Sequence, residues 1–198
     1  GIKLDKEYVE ILPDGTGKLT ALYVESGEEA VDIIWTSSDE SYVTVDENGN
    51  LIAQKSGYKL VTATTKDGLY SDSAYVLIMF EDVLNSDKYY YEPVYWALKN
   101  DITTGTGKYD YSPNEDCTRE QIVTFLWRMA GCPEPESENT FTDCNSKKYY
   151  YDAVSWAAEN HITVGLNDGT GRFGVGVGCT RAMNVTYLYR YWQYQAQQ

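Results

Sequence analysis

Basic charge is scarce in this chain. Sixteen Lys and Arg stand against thirty Asp and Glu, a net charge of −14 over 198 residues. Nucleic acids and anionic membranes both need a basic footprint, so neither is expected as a partner. Histidine occurs once and no cysteine sits in a C-x-x-C pair, which excludes the usual zinc spacings; no metal or other cofactor is expected. No run of eighteen apolar residues exists, so no membrane-spanning helix is expected. The first residues read as strand and not as a signal peptide, and the chain reads as an excised or processed fragment. A catalytic reading lacks support. Chance pairs among thirty carboxylates are certain, but no spacing singles one out for acid–base work, and no nucleophile has a base beside it.

Tyrosine is abundant, with 19 beside 5 Trp and 4 Phe. A phenol ring suits a small helical core and its rim, and equally a wet interface or a sugar face. At 42% hydrophobic and 23% charged, the chain can build a packed core.

Residues 2–79 read as short strands. KLTALYV (18–24), VDIIWTS (31–37), YVTVD (42–46), LIAQ (51–54), LVTATT (60–65) and SAYVLIM (73–79) alternate and are rich in β-branched residues. Asp14-Gly15, Asn48-Gly49 and Asp67-Gly68 mark turns between them. Strands so short and so regularly spaced predict a β-sandwich without a parallel sheet, with Trp35 buried between the layers. At Met79-Phe80 the period changes from two to helical spacing.

From there one stretch occurs twice. FEDVLNSDKYYYEPVYWALKNDITTG begins at Phe80 and FTDCNSKKYYYDAVSWAAENHITVG at Phe141; each leads through a loop to a Cys-Thr-Arg, CTREQIVTFLWR at 117–128 and CTRAMNVTYLYR at 179–190. The period, 60 to 62 residues, marks one supersecondary unit used twice. Helices are predicted at 91–100, from 118 to about 130, at 151–160 and at 181–192, with 132–140 as linker. Val94, Ala97 and Leu98 share one face of the first helix, and Ile122, Phe125, Leu126 and Met129 one face of the second. Thr118 and Gln121 form a capping box; the second copy has Met183 in place of Gln121 and loses it. GTGRFGVGVG (169–178) lies between helices and lacks a P-loop lysine, so it reads as a loop and not as a phosphate cradle.

Arg119 and Arg181 each open a helix, where the macrodipole disfavours a cation. Two readings are open: a bridge to Asp82 or Asp143 of the F-x-D motifs, with Arg119–Asp143 the expected pair, or an anion site shared with the free N–H groups of the helix start. Trp96 and Trp156 are at once candidate core residues and candidate sugar-stacking residues. Four cysteines allow two disulfides in an exported protein. Cys117 and Cys132 flank a helix of about 18 Å at 1.5 Å per residue and cannot pair. Cys132–Cys144 is the first choice, leaving Cys117–Cys179; four free thiols are also compatible.

The segment W-T-S-S, V-T-V-D, N-G, then G-x-x-x-x-T-A-T-x-D-G between Trp35 and Gly68 resembles a bacterial immunoglobulin-like domain of the second group, a structural or adhesive module. The repeated F-x-D, Tyr-Tyr, V-x-W-A, I-T-x-G and T-R order over about 80–192 is similar to the bacterial S-layer homology repeat. The two resemblances together imply a multidomain chain: an all-β Ig-like sandwich at 1–79, then an all-α unit at 80–198 of two S-layer homology repeats, 80–131 and 141–192. They imply a non-catalytic, exported protein at the bacterial surface, held to the wall by a secondary cell-wall polysaccharide, with the Ig-like part as spacer. The alternative is an adhesion or self-assembly module binding protein partners, including a second copy. By motif position the resemblance implies Arg119, Arg181, Asp82, Asp143, Trp96, Trp156, Gln121, Gly105 and Gly165 as the glycan-binding residues. The motif's terminal Glu is Gln121 in one copy and Met183 in the other, and the family commonly has three repeats where two are visible. Repeat one, with its cap and the polar loop carrying Tyr109 and Tyr111, is expected to hold the better-ordered anion site.

Overall fold

The computed structural model describes residues 1–196. Two compact units form, one from residues 1–99 and 103–113, the other from 100–102 and 114 onward. Packing therefore divides the chain elsewhere than the change of period at 79/80 does.

In the first unit nine strands run in chain order: β1 (Ile2–Leu4), β2 (Tyr8–Ile11), β3 (Thr16–Lys18), β4 (Ala21–Tyr23), β5 (Ile33–Ser37), β6 (Val43–Val45), β7 (Asn50–Ala53), β8 (Gly57–Thr65) and β9 (Ser71–Ile78). They make a four-stranded sheet β2-β9-β8-β5, a three-stranded sheet β3-β7-β6 and a β1-β4 pair. Alternation sends Leu51 and Ala53 of β7, and Val61 and Ala63 of β8, into one core with Ile11, Leu19, Val43 and Val76. Full burial of each Leu, Ile or Val among them contributes about 1.5–3 kcal/mol, which is why such short strands hold. Two expectations need correction. β2 pairs with β9 in parallel, because the chain between Ile11 and Ser71 crosses to the other sheet and back before returning. Trp35 is half-buried: it packs on the edge of the core and lies over Gly49, where a Cβ would come within 2.9 Å of the indole.

The helix α1 (Tyr91–Lys99) belongs to this unit. Its Val94, Tyr95 and Leu98 are buried with Leu77, Met79 and Phe80, and Ala97 of the expected face is only half-buried. The loop after α1 is tied to the strands as well. Tyr109 is buried in the strand core and donates to Ala53 O at 3.1 Å, and Ser56 N donates to Lys108 O at 2.9 Å.

The second unit holds α2 (Arg119–Met129), α3 (Tyr151–Glu159) and α4 (Arg181–Gln195). All four helices begin and end within a few residues of the predicted bounds. The buried stripe of α2 is turned from the expected one. Arg119, Glu120, Val123, Thr124 and Leu126 are buried while Met129 is exposed. The helix is covered by both α3 and α4, so its inner arc is not centred on the longest apolar residues. Val123, Leu126, Val154, Trp156, Ile162, Phe173, Tyr187 and Tyr191 form the core of this unit. Asp101 and His161, at equivalent positions just past α1 and α3, both take the left-handed conformation (φ 56° and 57°) that ends each helix, so His161 serves as a cap.

Candidate functional site

The F-x-D motif closes the glycine loop in each copy. Asp82 accepts hydrogen bonds from Tyr111 N (2.9 Å) and Ser112 N (2.7 Å). Asp143 accepts from Phe173 N (2.7 Å), Gly174 N (2.8 Å) and Val175 N (3.0 Å), with Arg172 Nε at 3.6 Å. Partial burial pushes the Asp143 carboxyl up, but the three N–H donors outweigh it and hold it below the usual carboxylate value. The motif's phenylalanine explains the glycine of I-T-x-G. A Cβ on Gly105 would stand 2.6 Å from the Phe80 ring, and one on Gly165 2.8 Å from the Phe141 ring, at φ of 76° and 74°. Both glycines are thus demanded by the loop's own packing.

Arg119 crosses from the first copy into the loop of the second. Its Nε donates to Phe173 O at 2.9 Å and an Nη to Gly165 O at 3.1 Å, and its guanidinium lies 5.0 Å from the Phe173 ring and 5.5 Å from that of Tyr187. The side chain is buried, only 4% exposed. The expected Arg119–Asp143 bridge does not form. Asp143 spends its oxygens on backbone N–H groups, and the arginine is neutralised by carbonyl dipoles and aromatic faces instead. Glu120, which the sequence reading passed over, completes the clamp: both its carboxylate oxygens are 3.1 Å from Gly176 N. A short antiparallel bridge, Arg119 N to Val177 O (3.0 Å) and Cys179 N to Cys117 O (2.9 Å), joins the two helix starts. The missed signal was the pair Arg119-Glu120 itself: two charges side by side at a helix start, facing a glycine-rich loop whose N–H and C=O groups need partners.

Arg181, the equivalent of Arg119, is exposed, and among the described residues its guanidinium has no hydrogen bond or ion pair. Gln121 is committed to the cap, its Oε1 accepting from Thr118 N at 2.8 Å. The expected loss of the cap in the second copy is only half correct, since Thr180 Oγ1 accepts from Met183 N at 3.3 Å. Trp156 is a core residue, 1% exposed and edge-on to Tyr191 and Tyr194, whereas Trp96 is 55% exposed. Tyr109, expected to furnish a polar loop, is held in the strand core.

All four thiols are free, so the first-choice Cys132–Cys144 bridge is not formed. Burial, then the charges of Asp143 and Glu120, push the Cys144 thiol up to about 12. Among the described residues no group of three or more His, Cys, Asp or Glu is placed to hold a metal ion, and no helix is long and apolar enough to cross a membrane. A groove of about 420 Å³ runs along the linker, lined by Trp127, Cys132, Glu134, Pro135, Ser137, Glu138, Tyr151, Asp152 and Ser155; none of the nine candidate residues borders it.

Comparison with known proteins divides the chain in the same sense as its sequence does. Residues 1–76 match the model of the bacterial Ig-like domain (group 2), and residues 80–123 that of the S-layer homology domain. An uncharacterized protein of Clostridium acetobutylicum is 29% identical over 142 residues, 72% of this chain and 33% of that protein. The polysaccharide lyase 8 family protein HylA of Enterococcus faecalis is 38% identical over 100 residues, 48% of this chain and 7% of that protein. The chain thus spans a third or less of the length of these curated relatives. Among solved structures, intimin in complex with Tir90 matches 37% of this chain and 44% of its own (24% identity, TM-score 0.29). An EHEC O157:H7 intimin mutant matches 60% and 75% (18%, 0.31). At these TM-scores neither likeness bears on the fold. The two matched domain types are non-catalytic, and together they support a cell-wall-anchored surface protein that carries an Ig-like module.

Proposed function

We propose that residues 80–192 comprise two S-layer homology repeats that hold the protein to the bacterial wall by binding a secondary cell-wall polysaccharide, with the Ig-like part as a spacer that presents whatever else the protein carries. The observation that supports this most is the recurrence at 141–190 of the motif order found in the matched stretch 80–123, with equivalent residues in equivalent places: an aspartate on loop N–H groups and a Thr-Arg at a helix start.

The accessible cation belongs to the second copy. Arg119 is consumed inside the fold; Arg181, exposed at the N-terminus of α4, is therefore the arginine we assign to an acidic sugar substituent. This reverses the order expected from the sequence. Trp96, at 55% exposed, can offer a ring to a sugar face, and Trp156 cannot. Titrating purified wall polymer into the protein tests the reading. Arg181→Ala should weaken binding by roughly tenfold, the worth of one charge-assisted contact, and added salt should weaken it further. Unchanged affinity in Arg181→Ala with wild-type binding intact would remove the arginine from the site.

A further inference from the structure

Each copy of the repeat carries a cysteine directly before its Thr-Arg, Cys117 in the first and Cys179 in the second. The fold sets these equivalent positions side by side. Thr118 and Gly178 form an isolated antiparallel bridge, flanked by Arg119 N to Val177 O (3.0 Å) and Cys179 N to Cys117 O (2.9 Å). In that register Cys117 lies opposite Cys179, and opposed residues turn their side chains to the same face. Opposed, hydrogen-bonded residues have Cα atoms about 5.5 Å apart, inside the span of about 4.4–6.8 Å that a disulfide bridges. A Cβ at Gly178 would meet nothing within 4 Å, which leaves this segment room for a small closing movement. Both thiols are half-buried, and burial pushes both up. On Cys179 the Arg119 charge opposes that push and Cys117 adds to it, so the two sulfurs stand within each other's field. The other two thiols are poorer partners. Cys132 is exposed beyond the far end of α2, about 18 Å along the helix from Cys117. Cys144 is kept protonated by burial and by the charges of Asp143 and Glu120.

We propose that Cys117 and Cys179 are a disulfide-forming pair, free in the reduced protein and closed by exchange with a small-molecule disulfide, which fastens the start of α2 to the start of α4. The thiolate of one cysteine attacks a sulfur of the small disulfide, forming a mixed disulfide and releasing one small thiolate. The thiolate of the other cysteine then attacks the protein sulfur of that mixed disulfide and releases the second. Two protein thiols are oxidised, one small disulfide is reduced to two thiols, and the two protons pass from the cysteines to the departing thiolates. The reduced fold already prepares this step. Arg119 Nε donates to Phe173 O at 2.9 Å and the Glu120 carboxylate accepts from Gly176 N at 3.1 Å, so the segment leading to Cys179 is held against the start of α2 before any bond forms. The bridge would add a covalent fastening to that clamp, in the oxidising setting met by a protein of the bacterial surface.

The inference rests on the register of the two helix starts and not on glycan binding, so its test contains no glycan. The reduced full chain is incubated with oxidised glutathione at mildly alkaline pH, where more of each thiol is ionised. Remaining thiols are then alkylated and the peptides mapped by mass spectrometry without reduction. The peptides holding Cys117 and Cys179 should appear joined within one chain, with Cys132 and Cys144 alkylated. Oxidation should also raise the thermal midpoint of the helical unit by about 10 °C, as closing a loop of this length does, and a reductant should reverse the rise. Cys117→Ser and, separately, Cys179→Ser should gain nothing from oxidation, while Cys132→Ser should gain as the wild type does. The oxidised and reduced wild type carry the same sequence, so their comparison stands even where a serine variant fails to fold. A Cys132–Cys144 link, either helix-start cysteine joined to Cys144, glutathione retained on Cys117 or Cys179 without closure, or four thiols still open to alkylation would each overturn the proposal. So would a joined pair that leaves the thermal midpoint where it was.

Discussion

Arg119 and Arg181 occupy equivalent positions in the repeat and meet opposite surroundings. One is sealed against carbonyls and aromatic rings, and the other stands in solvent. Each hydrogen bond from a buried guanidinium contributes about 1.5–3 kcal/mol. Arg119→Ala should therefore cost about 3 kcal/mol in chemical denaturation, and Arg119→Lys nearly as much, because an ammonium cannot span both carbonyls as the planar fork does. Arg181→Ala should leave the midpoint of the same curve unmoved. Asp143 offers a pH readout. Its folded value lies below the unfolded one, so its contribution is present above the unfolded value, near pH 4, and is lost as the pH falls through the folded value. Asp143→Asn should flatten the acid limb of the stability–pH profile below about pH 4, which equilibrium denaturation across that range would register.

At the scale of elements, the helices were legible because their start and stop signals are local: Thr118 and Thr180 before the arginines, Pro93 in a first turn, Gly131 after the second helix. The faces were less so. Periodicity marked Ile122, Phe125 and Met129 for burial, but α2 is covered from two sides, and the residues it turns inward include Arg119 and Glu120, which no apolar pattern would select. The parallel β2–β9 pair and the docking of Tyr109 into the strand core depend on contacts between residues distant in sequence, which local alternation does not encode. The F-x-D aspartates and the I-T-x-G glycines were found as a pattern, and their reason, a loop folded over a phenylalanine, needed coordinates. Thiol chemistry follows the same local logic. Alkylation at neutral pH should modify exposed Cys132 first and Cys144 last, since burial keeps the Cys144 thiol protonated. Peptide mass mapping over time gives the order.

At the scale of the whole molecule, the helical repeats are proposed to attach a bacterial surface protein to the wall. The acidity of the chain, −14, makes nonspecific adherence to an anionic wall unfavourable, so any binding must come from specific contacts. The most direct measurement is co-sedimentation of the intact protein with purified wall sacculi, before and after their secondary polymer is stripped. Binding that disappears with the polymer, and that Arg181→Ala reduces, is the outcome expected. Equal pelleting with stripped and unstripped sacculi, or none with either, would contradict it.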